Sequence, residues 1–206
     1  MKTMPSITEV YRPVPQQKRS SKRVAEYLEI AAHLFADVGY EAATMTAIAE
    51  RAGSSIGGLY RYFPDKRAIG VALQEKYSAD FDEVWTGVIA KAENLSVSEF
   101  SGQLLDRMSK FVSERPGYFT LLAAPIKYRR DAASRRNVRT QFSKAFVAKN
   151  PALSQEDALL AANVAIQIVK GMVALCAEVE PRRRTAVVRE FKRAMTNYLA
   201  DVLRSN

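Results

Sequence analysis

The sequence predicts an all-α protein in which a small N-terminal helical unit is followed by a larger C-terminal one. Three observations carry this. Apolar residues recur at three- and four-residue steps along most of the 206 residues. Pro and Asn-Pro punctuate the stretches so defined, and no segment alternates apolar and polar residues as a half-buried strand does. With 48% apolar residues and no internal repeat, the chain has ample material for a core without covalent staples.

The leading segment, residues 1–19, is expected to be a flexible basic arm. Lys2, Arg12, Lys18 and Arg19 face only Glu9, and Pro5, Pro13 and Pro15 oppose a helix. From Ser20 or Ser21 a helix is expected to reach Val38, because Val24, Tyr27, Leu28, Ala31, Leu34, Phe35 and Val38 line one face. Gly39 stands where a left-handed C-terminal cap belongs. His33, the only histidine, lies beside that row with no carboxylate or second histidine implied, and reads as an ordinary side chain.

Thr44 to Lys66, TMTAIAERAGSSIGGLYRYFPDK, is the most informative stretch. Thr44 suits the N-cap of a short helix burying Ile48, Ala49 and Ala52, and Gly53 suits its stop. A second helix is expected from Ser55 to Phe63, since the residue before Pro64 is pushed out of the helical region. On it Ile56, Leu59, Tyr60 and Phe63 cluster on the packing side, while Gly57, Gly58, Arg61 and Tyr62 point outward. Two glycines cost roughly 1 kcal/mol each inside a helix, which asks for a reason such as close approach of another backbone; a longer turn is the alternative. A helix pair of this size with a bare outer face fits a DNA groove. Lys66, Tyr60 and Tyr62 are candidate phosphate contacts. Arg61 suits a guanine edge, Thr46 and Ser55 either base type, and Ile56 a thymine methyl.

These residues resemble the tetracycline-repressor-like (TetR-like) bacterial transcriptional regulators. The resemblance covers about fifty residues, from AAHLFADVG at Ala31–Gly39 through TMTAIAERAG and SSIGGLYRYFPDK, with Leu59, Tyr60, Phe63 and Lys66 at the family's signature positions. It implies a dimeric, all-helical repressor: an N-terminal helix-turn-helix DNA-binding domain, here 20–66, plus a larger C-terminal helical ligand-binding and dimerisation domain, here 67–206. The sequence departs at Gly58, where the family often carries Thr or another side chain able to touch DNA.

After Asp65 a long helix through Ile69, Leu73, Tyr77, Phe81, Val84 and Val88 is expected to link the two domains. Gly70 and Gly87 within it are either soft points or close packing. Further helices are expected over Ser96 to Arg115, Tyr118 to Ala124, Ile126 to Lys149, Ser154 to about Val179 and Arg182 to Leu203. The last two carry apolar residues on more than one side. Leu159, Ala162, Ile166, Val169, Val173 and Cys176 form one row, widened by Ala161, Ala165, Ile168, Met172 and Leu175. Val187, Phe191, Ala194, Met195, Tyr198, Leu199 and Val202 line the final helix, and the surplus face suits a homodimer.

For a small-molecule effector the candidate walls are Trp85, Phe100, Leu104, Met108, Phe142 and Met172, with Tyr118, Phe119 and Cys176, and Gln167 as the polar residue. Each of these is also an ordinary core position. Lys127, Arg129, Arg130, Arg135, Arg136, Arg139, Lys144 and Lys149 against Asp131 form a basic run, read first as a solvated face and otherwise as an extra DNA contact or the mouth of an anionic-effector site. Arg182, Arg183 and Arg184 lie badly for a helix N-terminus.

A net charge of +9 favours an anionic partner, and DNA, RNA or a membrane surface all qualify on charge alone. The basic arm suits a phosphate backbone or a minor groove, or has no role. One cysteine excludes an internal disulfide, no Cys/His cluster suggests a metal, and no cofactor is expected. Catalysis finds no support: no nucleophile triad, nucleotide-cradling loop or paired metal ligands stand out. No uncharged apolar run approaches the roughly 20 residues of a membrane span, so a cytoplasmic location without membrane contact is expected. The expected partners are double-stranded DNA with a pseudo-palindromic operator, a second copy of the chain, and an unknown, largely apolar small-molecule effector that releases the operator. Two other readings stay open: a carrier bundle that never binds DNA, and a sequence-indifferent DNA-binding protein.

Overall fold

The computed structural model describes residues 18–126, 128 and 132–204; the basic arm therefore lies outside the described residues except where the first helix begins. Among the described residues there are helices and turns but no strand. Two compact units form, one from the residues up to Ser78 with Arg115–Arg129, the other from Ala79–Glu114 with the residues from Arg130 onward.

The first unit begins with α1 (Lys18–Val38), which buries Tyr27, Ala31, Leu34 and Phe35. Gly39 closes it with a φ of 84°, its N–H donating to the Phe35 carbonyl. Two short helices follow, α2 (Met45–Arg51) and α3 (Ile56–Tyr60), each capped as its sequence demands. Helix α4 (Lys66–Ile89) begins in this unit and continues into the second, so its apolar residues serve two different cores and no single stripe runs along it. In the first unit it buries Ala68, Ile69 and Leu73.

Helix α6 (Tyr118–Ala123) completes this unit. Gly117, at φ 69°, precedes it, and a Cβ there would come within 2.7 Å of the Ala32 carbonyl oxygen, so only glycine lets this backbone lie on α1. Tyr77 donates its hydroxyl to the Pro116 carbonyl and Gln74 its amide to the Leu121 carbonyl, fixing α6 to α4. Gly70 is a close-packing position: a Cβ on it would run into the Ile126 side chain.

The second unit contains the end of α4, a 3-10 turn Ala92–Asn94, α5 (Val97–Ser113), α7 (Ala132–Lys149), α8 (Gln155–Glu178) and α9 (Arg184–Val202). Ser96 and Glu99 form a reciprocal capping box at α5, and Ser154 caps α8. Helix α8 is the centre of the unit, with α5, α7 and α9 packed around it. Its length and composition suit a bilayer span, but Ala162, Ala165, Ile166, Val169, Met172 and Val173 are buried in the unit's own core.

Several expected boundaries move. The basic helix begins at Ala132 rather than Ile126, because Ile126 follows Pro125 in a turn and its side chain fills the space over Gly70. The last helix starts at Arg184 after a 3-10 turn Pro181–Arg183, and two of the three arginines acquire a physical account. Arg184 donates from Nε to the Cys176 carbonyl at 2.9 Å, satisfying an orphan carbonyl at the end of α8. Arg182 pairs with Glu180 at 2.6 Å.

The surplus apolar surface is also narrower than the sequence rows suggested. Of the row from Leu159 to Cys176, all but Leu159 are buried within the chain, as are Met195 and Leu199 of α9. What stays outside is Leu160, 61% exposed, with Val164, Ile168, Gly171 and Leu175 on α8, beside Val187, Phe191, Ala194 and Tyr198 on α9. Gly171 lets these helices meet closely, since a Cβ on it would lie 3.2 Å from the Phe191 ring.

Candidate nucleic-acid interface and ligand cavity

The helix pair α2 and α3 is built from its caps inward. Thr44 Oγ1 accepts from the Ala47 N–H at 3.1 Å, and Ser55 Oγ from the Gly58 N–H at 3.1 Å. Between them Gly53 takes a φ of 56°, and the Ser54 N–H returns to the Ala49 carbonyl at 3.0 Å, closing the turn. Ile48 beneath α2 and Leu59 and Phe63 beneath α3 are fully buried. Removing such a side chain costs about 2–5 kcal/mol, so these residues hold the pair's orientation.

Helix α3 is shorter than expected, ending at Tyr60 with Arg61 as its cap; the Tyr62 and Phe63 N–H groups both turn back to the Leu59 carbonyl. This shortening changes which residues face outward. Ile56, at 38%, and Tyr60, at 50%, are exposed although the sequence phase put them on the packing side, and only Leu59 and Phe63 pack. Thr46, Ser55, Gly57 and Arg61 are exposed beside them. Among the described residues Arg61 has no ion-pair or hydrogen-bond partner. Tyr62 is half-buried, its ring 5.7 Å from that of Tyr27, so only part of it faces out.

The two glycines differ. A Cβ on Gly58 would lie 3.2 Å from the Ser55 cap oxygen and 3.6 Å from the Tyr27 hydroxyl, so packing within the chain explains that glycine. A Cβ on Gly57 would meet nothing within 4 Å. Gly57 is therefore the glycine for which the chain itself supplies no steric reason.

Lys66 stands differently from the other candidates. Its Nζ donates to the Tyr40 carbonyl at 2.7 Å and the Glu41 carbonyl at 2.9 Å, and lies 4.6 Å from the Tyr40 ring centre. Two of its three donors are thereby used within the chain. Burial, with Asp65 and Glu41 nearby, holds the Tyr40 phenol above its ordinary pKa. Arg51 meets Asp37 at 2.7 Å, a half-exposed pair that adds little stability but fixes α2 against the end of α1.

The ligand candidates divide. Trp85, Phe100 and Phe142 come together in an edge-to-face cluster, with Trp85 and Phe142 5.0 Å apart, and Leu104 and Met108 are buried in the same unit. Met172 and Cys176 are buried on α8; burial pushes the Cys176 thiol up against the opposing effect of Arg184. Tyr118 and Phe119 belong to the first unit, where Tyr118 lies 5.8 Å from Tyr77. Gln167 is exposed and does not supply the cluster's polar group.

A cavity of about 70 Å³ opens beside this cluster, lined by Phe81, Trp85, Val138, Ile166, Arg135, Arg139 and Lys170. Arg139 is held in place, donating from Nε to Asn163 at 2.6 Å and from Nη1 to the Arg135 carbonyl at 2.7 Å. The Trp85 Nε1–H and the Arg135 Nε–H are buried with no acceptor among the described residues. Part of the basic run is thus turned inward, while Arg136 and Lys144 remain on the solvated face. Lys127, Arg129, Arg130 and Asp131 of the same run lie outside the described residues.

A helix pair with this outward face, set before a separate helical unit, is matched at both ends by one family. The family described as bacterial regulatory proteins, tetR family, matches residues 28–73, and the tetracyclin repressor-like C-terminal domain matches residues 96–199, half of the chain. The chain belongs to the TetR family.

Relatives of this TetR-family chain are similar mainly over the N-terminal part. The transcriptional repressor AcnR of Corynebacterium diphtheriae is 38% identical over 72 residues, 35% of this chain and 38% of that protein. The repressor KstR of Rhodococcus jostii is 48% identical over 50 residues, 24% of this chain and 22% of that protein. The chain thus spans well under two thirds of these relatives. A TetR-family regulator from Pectobacterium atrosepticum shares the fold, with a TM-score of 0.66 at 17% identity over 91% of this chain and 97% of that one.

Of the basic run in this TetR-family chain, Arg135 and Arg139 line the cavity, the arrangement that the sequence offered only behind a solvated face. The signal was present: they share a helical face with Val138, Phe142 and Phe146, an apolar row that a purely solvated basic helix would lack.

Proposed function

We propose that this chain is a ligand-responsive transcriptional repressor that docks α3 and its flanks into the major groove of a pseudo-palindromic operator. The observation that carries the reading is the outward surface of Ser55, Ile56, Gly57, Tyr60 and Arg61 above the buried Leu59 and Phe63. Helix α3 spans only five residues, so its N-terminal end meets base edges while neighbouring polar groups hold phosphates. Arg61 reads guanine, Ile56 contacts a thymine methyl, and Thr46 and Ser55 contribute hydroxyls. Lys66 chiefly positions the pair and offers its remaining donor to a phosphate.

Two such heads require two chains. The apolar surface of α8 and α9 suits a four-helix interface between copies, and burial already raises the Tyr198 phenol there. A palindromic operator sets its half-sites about 34 Å apart, which a homodimer satisfies. Release follows when an effector in the second unit favours a head spacing that no longer fits, α4 being the element shared by both units. The repressor sign rests on the relatives named as repressors, and a DNA partner goes with a cytoplasmic location. Enzymatic turnover has no part in this reading.

Selection of bound duplexes from a random pool tests it. A two-fold symmetric consensus is expected; recovery of unselected sequence, bound with a steep salt dependence, would favour a sequence-indifferent DNA-binding protein instead.

A further inference from the structure

We propose that the cavity beside Trp85 takes the carboxylate of a small, apolar-bodied organic anion, and that this is the chemical class of the effector; the inference rests on the ligand-responsive reading above. The cavity has two sides. Phe81, Trp85 and Ile166 supply an apolar wall, and Arg135, Arg139 and Lys170 supply cations, while among the described residues no acidic side chain lines it. Trp85 is 1% exposed, yet its Nε1–H finds no acceptor among the described residues, and the same holds for the buried Arg135 Nε–H. Buried donors left unpaired cost roughly 1–3 kcal/mol each, and two of them on side chains that line one cavity call for an acceptor of complementary charge.

A carboxylate supplies that acceptor. It carries two oxygens with about four lone-pair sites, and charge-assisted bonds from a guanidinium are the strong class of hydrogen bond. Arg139 is oriented for this by Asn163, which holds its Nε and leaves the guanidinium edge fixed. The volume of about 70 Å³ falls below the roughly 300–1,000 Å³ that encloses a drug-sized ligand, so the site accepts one ring or a short chain, or the charged head of something longer. A neutral apolar compound would leave both N–H groups unpaired. The carboxylate therefore decides selectivity and the apolar body adds affinity.

Trp85 is the chain's single tryptophan, so its fluorescence reports on this cavity alone. Full-length protein is titrated with benzoate and hexanoate, and with benzamide and hexanol as neutral counterparts. At least one carboxylate is expected to give a saturable change below about 10 mM and to bind about tenfold or more tightly than its counterpart. Arg135→Gln is expected to erase that preference and Arg136→Gln, on the solvated side, to keep it. Lys170→Gln, at an exposed position, should weaken the carboxylate in the same direction and covers the case in which Arg135→Gln does not fold. Equal binding of charged and neutral partners, or no saturable change with either carboxylate, overturns the inference. A neutral compound that frees a selected duplex while both carboxylates stay inert would also overturn it and leave the regulator reading standing. Carboxylate binding by a chain that selects no duplex would do the reverse.

Discussion

Lys66 donates its ammonium to the backbone carbonyl of Tyr40 across 2.7 Å, joining the start of α4 to the turn that follows α1. This bond, with its companion to Glu41, sets where α2 and α3 sit on the rest of the unit. A side chain that sequence alone assigns to the phosphate backbone is thus largely engaged inside its own domain.

Lys66→Met should therefore lower stability as well as DNA affinity. Hydrogen bonds to a charged group contribute about 1.5–3 kcal/mol, and the lower end applies because Lys66 is half-exposed. Thermal unfolding checks it: a falling midpoint is expected, whereas an unchanged midpoint with weakened duplex binding would return Lys66 to a plain phosphate contact.

Gly57→Ala separates the chain's needs from those of its partner. The added methyl meets open space, and replacing Gly by Ala in a helix gains roughly 0.5–1 kcal/mol, so the melting temperature should rise. Duplex affinity should fall, because the methyl occupies the side that a groove must approach. Higher stability with unaltered affinity would show that nothing approaches Gly57.

The helix-turn-helix and its caps were legible because each depends on local chemistry: Thr44 and Ser55 as caps, Gly53 at positive φ, and Pro64 after Phe63. The end of α3 was less so, since five residues make little more than one turn and tertiary packing of Leu59 and Phe63, rather than helix phase, decides what is buried. Long-range partners left no trace in sequence spacing. Neither Lys66 on the Tyr40 carbonyl nor Arg184 on the Cys176 carbonyl follows from periodicity. The cavity was only half legible for a similar reason, because spacing leaves Arg135 and Arg139 open between a solvated face and the mouth of an anionic site until α7 is placed against Trp85 and Ile166.

Placing a charge on the outer stripe of α8 should disrupt self-association. Leu160→Glu combined with Ile168→Glu removes apolar contact from the face offered to a second copy while leaving the inward row from Ala158 to Cys176 untouched. Sedimentation is expected to show a monomer that keeps its helical signal and binds a full operator far more weakly than the unaltered dimer does. A double variant that remains dimeric would move the interface elsewhere.

Regulation of this kind requires that the surface above Leu59 and Phe63 meet DNA. Arg61→Ala tests this most directly, because Arg61 is exposed and its removal should leave folding intact. On an operator recovered by selection, affinity is expected to fall by about 1–3 kcal/mol, roughly 5- to 150-fold, with discrimination relaxed at one symmetric pair of positions and the melting temperature unchanged. Full retention of affinity and sequence preference by the folded variant would contradict it.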